Sequence, residues 1–299
     1  MFVDIHCHAY RKPPPVYSFC TAEQVLERYD ASGIEMGALL PIVSPEIYMP
    51  QANEDILEMA EQYPDRFVPF CNIDPRAITN SADAPLDRLL RHYRDLGCRG
   101  LGEVMPNMAV MDPRVQNLFY HAEDVGLPVT FDGSDQLSGD FGLYDDPGLP
   151  QLEHTLQRFP KLAILGHGPV FWTEIARLET PGERGYVFRR DGGQVGRLPT
   201  SAVKEEGVVP KLLRRYPNLY GDLSDFTAHN ALARDPEYGQ AFLTEFQDRL
   251  MFGTDLCSPK MPVPLIDLLL DWRKSGKISR TVFNRVAREN AIRLFDLDL

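Results

Sequence analysis

The segment Phe2-Val3-Asp4-Ile5-His6-Cys7-His8 opens the chain with an apolar, β-prone run that ends in two histidines. In an extended strand, residues i and i+2 point to the same face, so the imidazoles of His6 and His8 project together from the carboxyl end of the strand. Two imidazoles on one edge suit a divalent metal ion such as Zn²⁺, provided that other strands supply further ligands. The segment therefore predicts a first strand that carries one edge of a metal site.

Seven more short apolar runs follow, separated by stretches with helical periodicity. They cover residues 35–42, 66–73, 98–105, 127–133, 161–168, 219–225 and 250–255. Because strand and helix alternate along the whole chain, the sheet is predicted to be parallel. Eight such units in 299 residues favour one α/β domain over 1–299, a (β/α)8 TIM barrel. A doubly wound open sheet is the alternative, but no glycine-rich phosphate turn follows the first run.

Two segments are longer than compact loops. Residues 10–20 contain the run Pro13-Pro14-Pro15, and residues 169–209, after the sixth strand, are rich in glycine, arginine and charge. Both leave the strand ends at which a TIM barrel builds its active site. The extended loop 169–209 is therefore predicted to be a lid-like insertion, with a dimer contact as the alternative.

The composition is that of a globular protein, with 43% apolar and 25% charged residues. A formal charge of −12 argues against nucleic acid or an anionic membrane as the partner, since both require a positive surface. The five cysteines are scattered, and no signal-like segment or membrane-length apolar run is evident. We expect a cytoplasmic protein that acts on a small molecule.

Residues with metal-binding or acid–base chemistry stand at the ends of the later strands. They are Glu103 on the fourth strand, Asp132 on the fifth, His167 on the sixth, Asp222 or Asp225 on the seventh and Asp255 on the eighth. The carboxyl ends of barrel strands meet at one face, so these residues are predicted to form a ring with His6 and His8. Helix capping is the alternative for any single member. Asp4 lies deeper on the His6 face and is expected to orient a ligand, as are Asp222 and Ser224.

The motifs resemble those of the amidohydrolase superfamily, and within it the amidohydrolase-2 branch that contains aminocarboxymuconate-semialdehyde decarboxylase and related hydrolases. The resemblance covers nearly the whole chain. It is carried by Val3-Asp4-Ile5-His6-Cys7-His8, Tyr63-Pro64-Asp65-Arg66-Phe67, Leu165-Gly166-His167-Gly168, Phe252-Gly253-Thr254-Asp255 and Asn290-Ala291-x-Arg293-Leu294-Phe295.

The resemblance implies that His6, His8 and Asp255 bind metal and that Asp255 is also a catalytic base. His167 matches a histidine that in relatives either binds a second metal or acts as a catalytic acid or base. The chain departs from its relatives at the fifth strand, where Asp132 replaces their usual histidine ligand. Glu103 resembles a glutamate that binds or bridges metal in other branches.

The carboxylates bear on the number of ions. If Glu103, Asp132 and Asp255 all face the ring, their three negative charges leave −1 with one divalent ion and +1 with two. Two ions, or one ion with a carboxylate that is protonated or does not contact the metal, are therefore expected, with zinc as the first choice. Manganese is the alternative because an oxygen-rich ligand set suits a harder ion.

Residues that contact substrate are harder to define. Trp172 and Tyr186 are candidates to wall an aromatic substrate or to anchor the insertion, and His229 follows the seventh strand on the active-site end. The insertion's basic residues are either a carboxylate clamp, with Arg190 as its candidate, or a solvated face; they are Arg189, Arg190, Arg197 and Lys204. The remaining histidines, His92, His121 and His154, lie in helical patterns and are expected to be structural.

Hydrolysis of a lactone, ester or amide in a small carboxylate-bearing substrate is the leading functional hypothesis. The alternatives are a metal-dependent nonoxidative decarboxylase of an aromatic or muconate-type acid and a catalytically silent barrel that binds a metabolite. Some lactonases of the superfamily work without metal, and the altered fifth strand keeps that alternative open. The resemblance also implies a homodimer.

Overall fold

A computed structural model describes residues 1–13, 18–47, 51–188, 194–196 and 198–299. All eight predicted strands are present, together with three short strands outside the predicted set. In chain order the strands are β1 (Phe2–Cys7), β2 (Ile34–Leu39), β3 (Phe67–Pro69), β4 (Leu101–Val104), β5 (Val129–Ser134), β6 (Leu143–Tyr144), β7 (Ile164–His167), β8 (Tyr186–Phe188), β9 (Gln194–Gly196), β10 (Leu219–Asp222) and β11 (Leu250–Met251).

The strands form two parallel sheets, β1-β2-β3 and β11-β10-β7-β5-β4, with β6 paired to β5. Backbone hydrogen bonds join the two sheets. Cys71 donates to the Gly100 carbonyl at 3.0 Å beside β4, and Ile5 of β1 donates to the Phe252 carbonyl at 3.1 Å beside β11. The predicted TIM barrel is confirmed, and the carboxyl ends of its strands share one face.

Helices follow the barrel strands and cover the sheet. They are α1 (Ala22–Ser32), α2 (Asn53–Gln62), α3 (Asp87–Asp95), α4 (Pro113–Val125), α5 (Pro150–Arg158), α6 (Gly168–Thr173), α7 (Val208–Arg215), α8 (Asp225–Ala233), α9 (Pro236–Glu245), α10 (Pro264–Lys274), α11 (Arg280–Asn284) and α12 (Asn290–Phe295), with a π-helical turn at Arg285–Glu289. No helix in these described ranges has the length and apolar character needed to cross a bilayer. His92, His121 and His154 lie on α3, α4 and α5 at exposed or half-buried positions.

Local sequence explains where α1 begins and ends. The Thr21 hydroxyl accepts a hydrogen bond from the Gln24 backbone, and the Gln24 side chain accepts one from the Thr21 backbone. This reciprocal capping box satisfies two amide groups that the first turn leaves without partners. Gly33 ends the helix at φ 70°, a left-handed conformation that glycine adopts without steric cost.

The insertion after β7 is anchored by a buried arginine. Arg184 is 1% exposed; its Nε lies 3.2 Å from Glu174 Oε1, and its Nη2 donates to the Asp145 carbonyl at 2.9 Å. Strands β8 and β9 pair as an antiparallel hairpin within the insertion. This geometry ties the base of the insertion to the segment after β6, and the lid role stays a prediction.

A buried aspartate connects three elements at the base of the metal-binding edge. Asp4 on β1 accepts hydrogen bonds from the Thr254 backbone at 2.8 Å, the Thr254 hydroxyl at 2.6 Å and the Tyr29 hydroxyl at 2.7 Å. Burial raises the pKa of Asp4 to about 6, although these hydrogen bonds oppose the shift. Because Tyr29 lies on α1 and Thr254 follows β11, Asp4 holds both beside the first strand.

Replacing Tyr29 with phenylalanine is expected to lower the free energy of unfolding by about 1.5–3 kcal/mol at pH 8, since a buried hydrogen bond to a charged group is lost. Urea unfolding measures the change. Tyr63→Phe is the matched control, because the Tyr63 hydroxyl makes the same kind of bond to Glu23 at an exposed site. Equal losses in the two variants would contradict a special role for the Asp4 network.

Candidate metal centre

Six predicted residues lie together at the carboxyl ends of the barrel strands. His6 and His8 come from β1 and its end, Glu103 from β4, Asp132 from β5, His167 from β7, and Asp255 from the loop after β11. Within this set, His6, His8 and Glu103 form one group with ligand atoms within 4.8 Å of one another, and Glu103, Asp132 and His167 form another. The structure thus assembles the predicted ring.

In the ring, Glu103 and Asp255 each place one carboxylate oxygen within 3.6 Å of the Nε2 atoms of both His6 and His8. The Nε2 atoms of His6 and His8 are 3.1 Å apart, and they lie 3.3 and 3.4 Å from Glu103 Oε2. Asp255 Oδ1 lies 3.6 Å from His6 Nε2 and 3.3 Å from His8 Nε2. Ligands about 2 Å from one tetrahedral ion lie roughly 3.3 Å from each other. The side chains present therefore fit a divalent ion.

Each histidine of the ring has its other nitrogen occupied by the protein. The Nδ1 atom of His6 donates to Asp222 Oδ2 at 2.6 Å, and that of His8 donates to the Leu40 carbonyl at 2.8 Å. The Nδ1 atom of His167 lies 3.0 Å from Ser224 Oγ. These partners fix the orientation of each imidazole and leave its Nε2 atom available as a metal ligand.

The electrostatics of the ring favour positive charge. Burial alone would lower the pKa of His6, but the carboxylates of Glu103 and Asp222 outweigh it and raise this pKa well above its usual value. In the same way Asp255 and Glu103 overcome burial and raise the pKa of His8 to about 9. A bound cation would replace the protons that these carboxylates attract.

Asp222 and Ser224 contact the Nδ1 atoms of His6 and His167, and their orienting role stays a prediction. Asp222 is fully buried; besides its bond to His6, it accepts one from the Ser224 backbone at 2.9 Å and lies 3.5 Å from His167 Nδ1. Its 2.6 Å contact with His6 is a direct hydrogen bond, shorter than the spacing of two ligands on one ion. Asp225, the other candidate of the seventh strand, lies instead in the first turn of α8.

Asp255 is the most exposed carboxylate of the ring, at 18% of its side chain. Its backbone has φ 51°, a left-handed conformation that aspartate tolerates better than most residues. Cys257 donates a hydrogen bond from its thiol to Asp255 Oδ1 at 3.6 Å. Burial and the nearby carboxylates raise the pKa of this thiol well above its usual value, so it acts as a donor. Asp255 thus lies against both histidines and is also partly exposed to solvent.

Asp132 lies on β5, where the family resemblance leads us to expect a histidine. It is 4% exposed, and its Oδ1 atom has no hydrogen-bond partner in the described part of the chain. Burial, reinforced by the charge of Glu103, raises the pKa of Asp132 well above its usual value. The Asp132 Oδ1 atom is therefore buried beside the ring without a hydrogen-bond donor in the described part of the chain.

Asn72 and Asn53 support the ring but were not identified from the sequence. Asn72 Nδ2 donates to the Glu103 carbonyl at 2.5 Å and to the Pro41 carbonyl at 2.9 Å. The Asn53 side chain accepts a hydrogen bond from the Asn72 backbone N–H and donates one to the Asn72 carbonyl. These contacts connect the ends of β2, β3 and β4. The sequence signal that could have identified Asn72 is its polar side chain near the end of the third apolar run, residues 66–73.

The predicted substrate residues lie in three different settings. Trp172 is 1% exposed and donates from its indole nitrogen to the Asp222 carbonyl at 2.8 Å, so it packs behind β10; burial disfavours its predicted substrate contact. His229 is half-buried on α8, where burial lowers its pKa, and its role stays a prediction. Arg190 lies outside the described residues. A cavity of about 670 Å³, lined mainly by 176–179 and 198–202, shares no residue with the ring.

An apolar cluster follows β1 and β4, two of the strands that carry the ring. Tyr10 follows His8 by two residues and Met105 follows Glu103 by two; both are buried and cluster with Ile42. The partly buried side chains packed against them are Phe19, Ile47 and Phe141. The hydroxyl of Tyr10 is buried without a hydrogen-bond partner in the described ranges. We call these six residues the aromatic cap, a feature that the sequence did not reveal.

Comparisons with known proteins identify the family of the chain and solved structures with a similar fold. A family model described as amidohydrolase matches residues 3–297. A probable 2-pyrone-4,6-dicarboxylic acid hydrolase from Acinetobacter baumannii is 13% identical, with a TM-score of 0.60 and 99% of each chain covered. A 2,6-dihydroxybenzoate decarboxylase from Rhizobium is 17% identical, with a TM-score of 0.55 and coverage of 100% of this chain and 99% of that one.

A third similar structure is 5-carboxyvanillate decarboxylase from Novosphingobium aromaticivorans, complexed with manganese. It is 15% identical, with a TM-score of 0.54 and coverage of 92% of this chain and 80% of that one. At these identities the likeness establishes a shared fold. Comparison with curated proteins gives no match.

Proposed function

The chain belongs to this amidohydrolase family, and from that premise we propose that it is a metal-dependent decarboxylase of an aromatic or muconate-type acid. Two of the similar structures described above are decarboxylases of aromatic acids. Hydrolysis, which the sequence alone places first, becomes the second candidate.

The observation that carries the proposal is the buried ring, with the aromatic cap following two of its strands. His6, His8, Glu103 and His167 are all buried, and the cap residues Tyr10 and Met105 each lie two positions after a ring residue along the chain. Planar, apolar substrates fit aromatic and aliphatic surfaces, and a few polar groups orient them. Decarboxylation consumes no water, so a site shielded from solvent suits it.

Four residues of the ring would hold the ion, and one of them, Asp255, is also proposed as the proton donor. His6, His8, Glu103 and Asp255 would hold the ion, which when bound supplies positive charge for the substrate carboxylate. The unpartnered hydroxyl of Tyr10 is available to a polar substituent of the substrate. Manganese and zinc both suit two imidazoles with two carboxylates, and the manganese in a similar decarboxylase supports the former.

Asp255 is proposed as the acid in the chemical step. Its carboxyl group delivers a proton to the carbon that bears the substrate carboxylate. The new C–H bond forms with an electron pair of the substrate's π system. The bond between that carbon and the carboxylate then breaks, carbon dioxide leaves, and the electron pair of the broken bond restores the π system. Asp255 regains its proton from solvent through its exposed side.

The test is a comparison of two reactions on the same protein loaded with Mn²⁺ or Zn²⁺. We expect carbon dioxide release from an aromatic acid such as 2,6-dihydroxybenzoate or 5-carboxyvanillate, and its loss after chelation. Hydrolysis of 2-pyrone-4,6-dicarboxylate without carbon dioxide release would overturn the decarboxylase in favour of the hydrolase. Failure to take up either metal would overturn both and support a silent metabolite-binding barrel.

One observation favours the hydrolase as second candidate. Glu103, Asp132 and Asp255 place three carboxylates around the ring, and a substrate carboxylate that must react at the ring is repelled unless enough metal charge is present. In a lactone the reacting carbonyl is neutral, so any carboxylate of that substrate can lie away from the ring. The hydrolase would use Asp255 to take a proton from the attacking water.

The partner that we propose is a small molecule, with no role for nucleic acid because the net charge is −12. We also propose a cytoplasmic homodimer. Light scattering on the purified protein would test the homodimer, and a monomeric mass would contradict it.

A further inference from the structure

The loop after β11 runs beside the end of β1 in a parallel register. Leu256 in this loop forms a parallel bridge with Cys7, and both residues are buried. The backbone N–H of His8 donates to the Leu256 carbonyl at 3.3 Å. The neighbours of a bridged residue point to the face opposite to its own. Asp255 and Cys257, the two neighbours of Leu256, are therefore expected on the same face as His8.

The side chains have the positions that this register predicts. Cys257 Sγ lies 3.6 Å from Asp255 Oδ1, which lies 3.3 Å from His8 Nε2. One ligand atom from each of these three residues lies within 4.8 Å of the others. A sulfur about 2.3 Å and an oxygen about 2.1 Å from one tetrahedral ion lie roughly 3.6 Å apart. The spacing thus suits a shared ion, and the hydrogen bond to Asp255 already directs the thiol toward it.

We propose that Cys257 is a further metal-binding residue, which coordinates thiophilic ions together with His8 and Asp255. On binding, the ion takes the place of the thiol proton, which leaves to solvent. The inference rests on the metal dependence proposed above but not on which reaction the enzyme catalyses. It gives a role to a thiol that the proposed chemical step does not use.

Charge and the softness of the ion decide which metals use the sulfur. A thiolate adds a negative charge beside the carboxylates of Glu103 and Asp255, so it coordinates only where the metal–sulfur bond outweighs their repulsion. Zinc and cobalt form such bonds, whereas manganese prefers oxygen ligands. We therefore expect Cys257 to bind Zn²⁺ and Co²⁺ and to remain a protonated thiol beside Mn²⁺.

Cys257 differs from the other four cysteines in exposure and in its neighbours. It is half-buried, whereas the others are buried; they are Cys7, Cys20, Cys71 and Cys98. Among the described residues, it is also the one cysteine that shares a potential metal-binding group with other side chains. An ion that arrives from solvent therefore has access to this sulfur beside Asp255, whose side chain is itself partly exposed.

The closing experiment records the absorption spectrum of the protein loaded with Co²⁺ alone. A thiolate bound to Co²⁺ gives a charge-transfer band in the near ultraviolet, which nitrogen and oxygen ligands do not give. We expect this band in the wild type and its loss in Cys257→Ser. The serine hydroxyl can still donate a hydrogen bond to Asp255, so the fold is expected to persist, and circular dichroism checks it.

Titration calorimetry provides a second readout, the affinity for each ion. Loss of a residue that only orients a metal ligand costs about 10–100-fold in affinity, and loss of a ligand should cost at least as much. Cys257→Ser is therefore expected to bind Zn²⁺ at least about 10-fold more weakly than the wild type. Its affinity for Mn²⁺ should be unchanged, because manganese does not use the sulfur.

Cys20→Ser is the matched control for both measurements. The backbone N–H of Cys20 donates to the Cys257 carbonyl at 2.9 Å, so the two residues are neighbours. The buried thiol of Cys20, however, belongs to no potential metal-binding group in the part of the chain that the structure describes. This variant should keep both the charge-transfer band and the affinity for Zn²⁺.

Four outcomes would overturn the proposal: no band in the wild type that has bound Co²⁺, a band that persists in Cys257→Ser, equal weakening of Zn²⁺ and Mn²⁺ binding in that variant, or the same losses in Cys20→Ser. Neither readout depends on turnover. A wild type that shows the band but releases no carbon dioxide would contradict the proposed reaction and leave this inference standing. A wild type that takes up no ion would overturn both.

Discussion

Asp255→Asn is expected to reduce turnover by roughly 10²–10⁴-fold, the usual contribution of a positioned proton donor. The amide cannot deliver the proton, and it is a poorer metal ligand than a carboxylate. Stability should change little, because asparagine also tolerates the left-handed backbone at φ 51°. Initial rates on the metal-loaded protein, with a thermal melt alongside, measure both effects.

Asp296→Asn is the control for this prediction. Asp296 has φ 50°, almost the backbone conformation of Asp255, but its side chain is 96% exposed and its ion-pair partner is Arg99. The same substitution there should leave turnover unchanged. Near-wild-type activity in Asp255→Asn would remove this residue from the mechanism, and an equal loss in Asp296→Asn would point to a backbone effect.

The elements and most of the ring follow from local rules. Period-two alternation places His6 and His8 on one face, and the convergence of strand ends in a barrel brings Glu103, His167 and Asp255 to them. The choice between Asp222 and Asp225 depends on where β10 ends. The strand ends at Asp222, and Asp225 begins α8. A shift of a few residues at a strand end is below what periodicity resolves.

Cross-strand contacts account for what could not be predicted. Asn72 supports Glu103 through hydrogen bonds that join the ends of three strands, and no spacing in the chain encodes that geometry. Trp172 was a candidate substrate wall because aromatic residues often line pockets. It packs instead against Gly221, whose missing Cβ leaves room for the indole: a Cβ there would lie 2.9 Å from it. Side-chain direction at such positions is set by tertiary packing.

Asp222→Asn is expected to weaken metal binding by about 10–100-fold without removing a ligand. Burial would raise the pKa of Asp222, but His6 and His167 outweigh it and lower this pKa below its usual value, so the carboxylate is charged at neutral pH. It accepts from His6 Nδ1 at 2.6 Å and from the Ser224 backbone at 2.9 Å. An amide can accept only one of these bonds with its oxygen, and its NH₂ group opposes the other donor. The imidazole then loses its fixed orientation, which titration calorimetry with Mn²⁺ would register as a weaker affinity.

Asp4→Asn is the control that separates a lost orientation of the His6 imidazole from a general loss of protein stability. Asp4 is buried as deeply as Asp222 and accepts several hydrogen bonds, but its carboxylate contacts the backbone of His6 and not its imidazole. This variant should unfold at lower urea concentration while its folded form binds Mn²⁺ nearly as well as the wild type. An unchanged affinity in Asp222→Asn would show that the His6 imidazole keeps its orientation without the Asp222 carboxylate. A comparable loss in Asp4→Asn would show that the affinity follows global stability, because a metal that binds only the folded state is linked to unfolding. The two carboxylates are predicted to differ because only one of them contacts the nitrogen opposite the ligand atom.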